Sequence, residues 1–209
     1  MRRTLYLLLC LASSICFCTI SAASKAADPV ILVIGDSLSA AYNMSEESGW
    51  VALLQQRLRH HALPHAIVNA SISGDTTYGG VNRIETALAR NTPAVTIIEL
   101  GANDGLRGLS LDKMRDNLGR MIELALARQS KVLLLGVQLP PNYGPNYTEH
   151  FQQSYALVAE RYDVALVPSI LAGFEDNSHY FQHDQIHPSA EAQALILDNV
   201  WPALKPLLD

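Results

Sequence analysis

The chain has 209 residues, 49% of them hydrophobic, which is enough for one domain with a well-buried core. Its formal net charge is −5 and it contains no basic run, so the composition argues against nucleic acid as the main partner. No flexible linker, low-complexity tract or internal repeat indicates a second domain.

The N-terminal segment is typical of a secretory signal peptide. Two arginines open it, a mostly apolar stretch without charge covers residues 5–20, and small residues follow. We expect cleavage after Ala23 or Ala26, which makes 1–26 the signal peptide and 28–209 the exported domain. A retained membrane anchor is the alternative, but the apolar stretch is short for a membrane span.

The three cysteines of the chain all lie in this leader, at positions 10, 16 and 18. We therefore expect a mature domain without a disulfide, a thiolate nucleophile or a thiolate metal site.

Beyond the leader, short apolar runs alternate with longer amphipathic segments. The apolar runs predict strands at Val30–Gly35, Ala66–Ala70, Ala94–Leu100, Val132–Val137 and Ala165–Val167. The amphipathic segments predict helices at Trp50–His61, Val81–Arg90, Leu111–Arg128, Tyr147–Tyr162 and Glu191–Leu208. Strands that alternate with helices indicate a single-domain, three-layer α/β/α sandwich around a parallel sheet of five strands.

Polar loops follow four of the predicted strands. They cover residues 35–39, 69–76, 99–105 and 138–144. Because the carboxyl ends of parallel strands share one edge of the sheet, we expect these loops to converge on one site.

The residue types available to this site are those of a serine hydrolase. Ser37 directly follows the first strand, while Asp184 and His187 lie three residues apart far downstream. That spacing allows both side chains to project from one turn, so Ser37 is the candidate nucleophile, His187 the base and Asp184 the group that orients the imidazole. A serine after a strand is also a common helix N-cap, which is the structural alternative for Ser37.

Four ordered blocks resemble those of the GDSL, or SGNH, hydrolase family. They are Gly35-Asp36-Ser37-Leu38-Ser39, Ser73-Gly74-Asp75, Gly101-Ala102-Asn103-Asp104 and Asp184-x-x-His187-Pro188. The resemblance covers the chain from about residue 30 onward. It departs from the family at Ala102, where many relatives carry glycine.

The resemblance implies a flavodoxin-like five-stranded sheet and a serine esterase mechanism. The expected activity is hydrolysis of fatty acyl esters and thioesters through an acyl-Ser37 intermediate, with lysophospholipase, acyl-CoA thioesterase and arylesterase activities. We expect a small-molecule acyl substrate, including lysophospholipid at a membrane surface. No cofactor, metal or obligate protein partner is expected, and the location is the periplasm of a Gram-negative bacterium or the medium.

The resemblance also assigns an oxyanion hole and suggests an acyl groove. The oxyanion donors are the backbone N–H groups of Ser37 and Gly74 and the side-chain amide of Asn103. Gly74 and Asn103 are otherwise ordinary turn residues. The candidate lining residues of the groove are Leu106, Leu109, Leu139, Pro140 and Tyr143. The loop 139–144 is the candidate lid.

Three alternatives remain open from the residues. His179, His183 and His187 recur every four residues and would bind zinc if they lay on one helix, in which case a chelator would abolish activity. The same serine mechanism would also serve a carbohydrate O-acetyl esterase. The fold would serve a non-catalytic acyl-binding protein as well, because a fold does not define a function.

Overall fold

The computed structural model describes residues 28–209, so the predicted signal peptide lies outside the described residues. Five parallel strands form one sheet in the order β2-β1-β3-β4-β5. The strands are β1 (Val30–Gly35), β2 (Ala66–Asn69), β3 (Val95–Glu99), β4 (Lys131–Leu135) and β5 (Ala165–Val167). The helices are α1 (Trp50–His60), α2 (Thr77–Asn91), α3 (Ala102–Leu106), α4 (Leu111–Leu126), α5 (Pro145–Tyr162) and α6 (Gln193–Leu204).

The central strands are mostly apolar and buried because helices cover both faces of the sheet. Every residue of β3 is buried, as are five of the six residues of β1. The edge strand β2 is only half-buried. A strand buried on both faces has no alternation of polar and apolar residues, and this is why short continuous apolar runs predict these strands.

Helices α1 and α6 pack together, and α4 packs against α2 and α5. The predicted stripe of α4 is fully buried; it comprises Met114, Leu118, Met121, Ile122 and Ala125. The predicted face of α1, with Leu54 and Leu58, is buried as well. No helix within residues 28–209 is long and apolar enough to cross a membrane.

Helix α2 begins at Thr77, four residues before the predicted start. The Asp104 carboxylate accepts hydrogen bonds from the Thr77 backbone N–H at 2.9 Å and from the Thr77 hydroxyl at 2.6 Å, so a distant residue holds the first turn. The sequence pattern misses this start because Gly79 and Gly80 have low helix propensity. Gly80 has a packing reason: a Cβ there would lie 2.4 Å from Leu100 Cδ1.

Two further elements differ from the prediction by more than two residues, whereas the bounds of the remaining strands and α-helices agree with it within two residues. The sequence pattern does not predict the short helix α3, since five residues provide no amphipathic period. The last predicted helix, Glu191–Leu208, is regular α-helix only as α6; the 3₁₀ turns Ala190–Ala192 and Lys205–Leu207 flank it.

Candidate active site

The polar loops meet at the carboxyl edge of the sheet, as predicted. Strand order reverses between β1 and β3, the position where open α/β sheets bind ligands. Ser37 follows β1 and Asn103 lies in α3, directly after β3. Both residues line one cavity together with His187.

Ser37, His187 and Asp184 form a continuous hydrogen-bonded chain. The Ser37 Oγ lies 2.9 Å from Nε2 of His187, and the His187 Nδ1 lies 2.7 Å from Oδ2 of Asp184. An ionised carboxylate only accepts hydrogen bonds, so Nδ1 donates to Asp184 and Nε2 is left to accept the Ser37 hydroxyl proton. This geometry suits proton abstraction from Ser37.

A tight loop presents Asp184 and His187 from one turn. The Asp184 Oδ1 accepts the backbone N–H groups of Ile186 at 2.9 Å and His187 at 3.0 Å. The loop is closed at its base, where the Gln182 N–H donates to the His187 carbonyl at 2.7 Å. The Gln182 side-chain amide also donates to the Tyr42 carbonyl at 2.9 Å, which ties the histidine loop to the loop after β1.

Electrostatics keep the Asp184 carboxylate ionised. Partial burial raises its pKa, but the two backbone N–H groups and the His187 side chain together lower it below its usual value. The ring of Tyr42 lies 4.3 Å from the His187 ring and covers one of its faces. The imidazole is therefore fixed by Asp184 at one edge and by Tyr42 on one face.

Residues 37–43 form consecutive turns and no helix. The helix N-cap alternative for Ser37 is therefore not what the chain adopts, and no helix dipole acts on its hydroxyl. Instead, the Asp36 Oδ1 accepts the Leu38 N–H at 3.0 Å, and the Ser39 hydroxyl donates to the buried Glu99 carboxyl at 2.7 Å. Side chains on both sides of Ser37 thus hold the turn.

Gly74 and Ser37 carry free backbone donors. Within residues 28–209, no protein group accepts the N–H of either residue. Gly74 has φ +80°, a conformation that other residues adopt only with strain, and its carbonyl accepts a hydrogen bond from Arg107 at 2.8 Å. Both donors satisfy the chemical requirement for an oxyanion hole.

The amide of Asn103 is held by two acceptors. Its Nδ2 donates to the Asp36 Oδ2 at 3.1 Å and to the Asp75 carbonyl at 2.9 Å. Asn103 is therefore oriented by Asp36 and by the loop after β2, and both of its amide protons have partners in the free protein. Bound substrate must replace or share one of these bonds if Asn103 is to stabilise an oxyanion.

The cavity that Ser37 and His187 line has a volume of about 850 Å³. Of the candidate groove residues, Leu106, Leu139 and Pro140 line this cavity, whereas Leu109 and Tyr143 do not. Its further lining, which the sequence pattern does not predict, includes apolar residues (Leu38, Val137, Leu171, Phe181 and Ile186) and polar ones (Gln138, Glu149, Gln152, Glu175 and Asp176). A second cavity of about 340 Å³ lies beside α1 and β2 and contains neither Ser37 nor His187.

The histidines spaced by four do not lie on one helix. Of the segment that holds them, only Ser178–Tyr180 is a helical turn. The His179 Nε2 pairs with the Glu191 carboxylate at 2.9 Å, while His187 belongs to the chain with Ser37. Within residues 28–209, no group of three metal-ligating side chains comes together.

Sequence reasoning misses the residues that join the loops to each other. Arg83 in α2 donates to the carbonyls of Gly35 and Ala70 and pairs with the Asp75 carboxylate at 2.8 Å, which links the loops after β1 and β2. Neither Arg83 nor the Tyr42 and Gln182 described above belongs to a sequence block of the site. A single arginine or glutamine has no local pattern that indicates a distant partner.

Comparison with known proteins places the chain in a family. The model of the GDSL-like lipase/acylhydrolase family matches residues 33–195. Esterase TesA of Pseudomonas aeruginosa is 49% identical over 193 residues, which are 92% of this chain and 96% of that protein. The arylesterase of Vibrio mimicus is 40% identical, with 91% of this chain and 94% of that protein covered.

Two further similarities extend this result. The Escherichia coli K12 protein named thioesterase 1/protease 1/lysophospholipase L1 is 37% identical, with 88% of this chain and 87% of that protein covered. The crystal structure of TesA superposes with a TM-score of 0.84 at 50% identity and covers 85% of this chain and 99% of that one. The chain therefore belongs to the GDSL, or SGNH, hydrolase family, which confirms the predicted family and fold class.

Proposed function

We propose that this protein is a serine esterase and thioesterase in which Ser37, His187 and Asp184 form the catalytic triad. The observation that supports this proposal most directly is the hydrogen-bonded chain, with distances of 2.9 Å and 2.7 Å, that links these side chains beside a cavity with apolar and polar lining. Relatives named esterase, arylesterase and thioesterase support the same reaction class.

The reaction proceeds in two steps of the same kind. Ser37 Oγ attacks the acyl carbonyl carbon as its proton passes to Nε2 of His187, and the leaving alcohol or thiol then takes that proton. Water, deprotonated by the same nitrogen, hydrolyses the acyl-Ser37 ester and restores the hydroxyl. Asp184 stabilises the imidazolium that forms in each step.

The negative oxygen of each tetrahedral intermediate binds to an oxyanion hole. The free N–H groups of Ser37 and Gly74 are its fixed donors, and Asn103 is the third donor once substrate draws its amide away from one of its two acceptors. Removal of one preformed donor of this kind typically lowers kcat by about 10²–10³-fold.

The apolar part of the cavity lining favours a fatty acyl group as the acyl part of the substrate. Leu106, Leu139 and Phe181 lie along walls that an acetyl group would leave uncovered. Lysophospholipid is our candidate natural substrate, because an exported enzyme meets envelope lipids rather than intracellular thioesters. The signal peptide at residues 1–26 and a periplasmic location are part of this proposal.

The test is hydrolysis of p-nitrophenyl esters from acetate to palmitate by the mature protein and by Ser37→Ala. We expect Ser37→Ala to lose at least about 10³-fold in kcat, and the wild type to prefer medium or long chains. EDTA should leave the wild-type activity intact. Activity that survives in Ser37→Ala contradicts the proposal. A preference for the acetate ester would favour the alternative of a carbohydrate O-acetyl esterase.

A further inference from the structure

A fully buried carboxyl group lies beneath the candidate nucleophile and has no part in the triad. Glu99 is the last residue of β3 and is 1% exposed. Its Oε2 accepts the Ser39 hydroxyl at 2.7 Å and makes a long contact of 3.4 Å with the Asp36 N–H. Glu99 therefore contacts the residues directly before and two positions after Ser37.

Asp36 is a second buried acid in the same place and is 0% exposed. One of its oxygens accepts the Leu38 N–H at 3.0 Å and the other accepts the Asn103 amide at 3.1 Å. Each of these donors stabilises a negative charge on Asp36. Glu99, in contrast, has one strong donor, the Ser39 hydroxyl.

Two adjacent buried carboxylates are too costly to be ionised together. The pKa of Glu99 is well above its usual range, first because of burial and second because of repulsion from Asp36. Burial also raises the pKa of Asp36, although the Leu38 N–H, the Asn103 amide and the charge of His187 oppose this.

The other ionisable groups around the two acids do not neutralise them. The Asp75 carboxylate repels Asp36, and His187 attracts it. The pKa of the buried Tyr155 hydroxyl is raised well above its usual value, mainly by burial, so this group stays neutral. The Arg83 guanidinium is engaged with Asp75 and with backbone carbonyls.

We propose that Glu99 is a positioning residue that stays protonated while buried against the Asp36 backbone, with its Oε2 accepting the Ser39 hydroxyl. Asp36 then carries the single negative charge of the pair and directs it at the Asn103 amide. This inference rests on the proposed roles of Ser37 and Asn103. Under it, Glu99 acts on turnover through the turn that holds Ser37 and through Asn103, without contact with substrate.

The test compares Glu99→Gln, which keeps a neutral donor and acceptor, with Glu99→Met, which keeps only the approximate shape. Thr96→Val is the matched control, because it removes another buried hydrogen bond of β3, the 2.7 Å contact between Thr96 and Ser130. Steady-state kinetics on p-nitrophenyl butyrate give kcat and KM. Titration with an organophosphonate that labels the active serine counts the folded sites.

We expect Glu99→Met to lower kcat about 10–100-fold with little change in KM. The kcat of Glu99→Gln should be about tenfold higher than that of Glu99→Met. Thr96→Val should lower stability but keep the wild-type kcat. Infrared spectroscopy at pH 7 should show the carbonyl band of a protonated buried carboxylic acid in the wild type and in Ser37→Ala, and no such band in Glu99→Gln.

Three results overturn the inference. They are a wild-type kcat in Glu99→Met, a kcat in Glu99→Gln as low as in Glu99→Met, and a wild-type infrared spectrum that Glu99→Gln leaves unchanged. The infrared measurement needs no activity and Glu99→Gln is nearly isosteric, so poor folding of Glu99→Met does not decide the outcome. If Ser37→Ala remains active, the proposed function fails instead, and the infrared result still stands.

Discussion

Asp184 shows how one carboxylate holds both a loop and the neighbouring imidazole. One oxygen accepts two backbone N–H groups and shapes the loop, while the other accepts the His187 Nδ1 proton. The first set of bonds fixes the direction of the second, so the imidazole is oriented before substrate arrives. The Asp184 side chain is partly exposed, with 38% of its surface accessible, so solvent screens its charge. Its main effect on His187 is therefore to fix the orientation of the imidazole.

Asp184→Asn tests this role of the carboxylate. An amide at this position can turn an N–H toward His187, which favours the tautomer in which Nε2 carries the proton and cannot accept one from Ser37. We expect kcat to fall by about 10³–10⁴-fold, as it does when the triad aspartate of a serine protease is replaced by asparagine, with KM changed far less. Steady-state kinetics on p-nitrophenyl esters measure both parameters.

The control for this substitution is Asp176→Asn, which changes another exposed carboxylate of the cavity lining. It should keep kcat near the wild-type value, because within residues 28–209 no hydrogen bond or ion pair joins Asp176 to Ser37, His187 or Asp184. A kcat of Asp184→Asn within about tenfold of wild type would contradict the assigned role of Asp184.

At the scale of elements, the 3₁₀ turn Pro141–Tyr143 and the short helix α3 both contribute residues to the cavity lining. The 3₁₀ turn Pro141–Tyr143 is tied to α3, because the Tyr143 hydroxyl donates to the Leu106 carbonyl at 2.9 Å. Tyr147, at the start of α5, donates to the Gly105 carbonyl at 3.1 Å. Tyr143 therefore ties the turn to α3 without lining the cavity itself.

Tyr143→Phe removes one of these ties and leaves the ring in place. A hydrogen bond of this kind is worth about 1 kcal/mol, so we expect kcat/KM to fall about fivefold on long-chain esters, which need the whole wall. The acetate ester should be hydrolysed at the wild-type rate, since it reaches only Ser37 and the oxyanion donors. The p-nitrophenyl series measures the chain-length profile.

Tyr78→Phe is the matched control, since Tyr78 lies in α2 and is 68% exposed. Its profile should coincide with that of the wild type. An equal loss on all chain lengths in Tyr143→Phe would show that the turn supports the catalytic groups rather than the acyl wall.

At the scale of the whole molecule, the buried acids link stability to pH. The pKa of Glu99 is raised in the folded protein, mainly by burial, so the group binds its proton more tightly when folded than when unfolded. Its contribution to stability is complete below the unfolded pKa and is lost as the pH rises through the folded pKa. Above the unfolded value, the native protein keeps a proton that the unfolded chain releases.

Glu99→Gln removes this dependence. Between the unfolded and folded pKa values, we expect the stability of the wild type to fall relative to Glu99→Gln by up to about 1.4 kcal/mol per pH unit. Urea denaturation of both proteins at several values between pH 5 and pH 9 measures the difference. A difference that stays constant or changes in the opposite direction would show that Glu99 is ionised in the folded protein.

Much of the fold follows from the sequence because its signals are local. The predicted bounds of strands β1 and β5 match the observed ones, since an apolar run bounded by polar turns is complete within a few residues. The stripe of α4 is likewise a repeat within one segment. The start of α2 escapes prediction because it depends on Asp104, 27 residues away.

The sequence by itself determined the family, the sheet and the candidate residues Ser37, Asp184 and His187, because short motifs and strand ends carry them. Only the tertiary structure decided how these residues are held. The bonds from Asn103 to Asp36 and from Ser39 to Glu99 join positions 67 and 60 residues apart. No local pattern encodes such pairs, because each partner alone resembles an ordinary polar residue until folding buries both together.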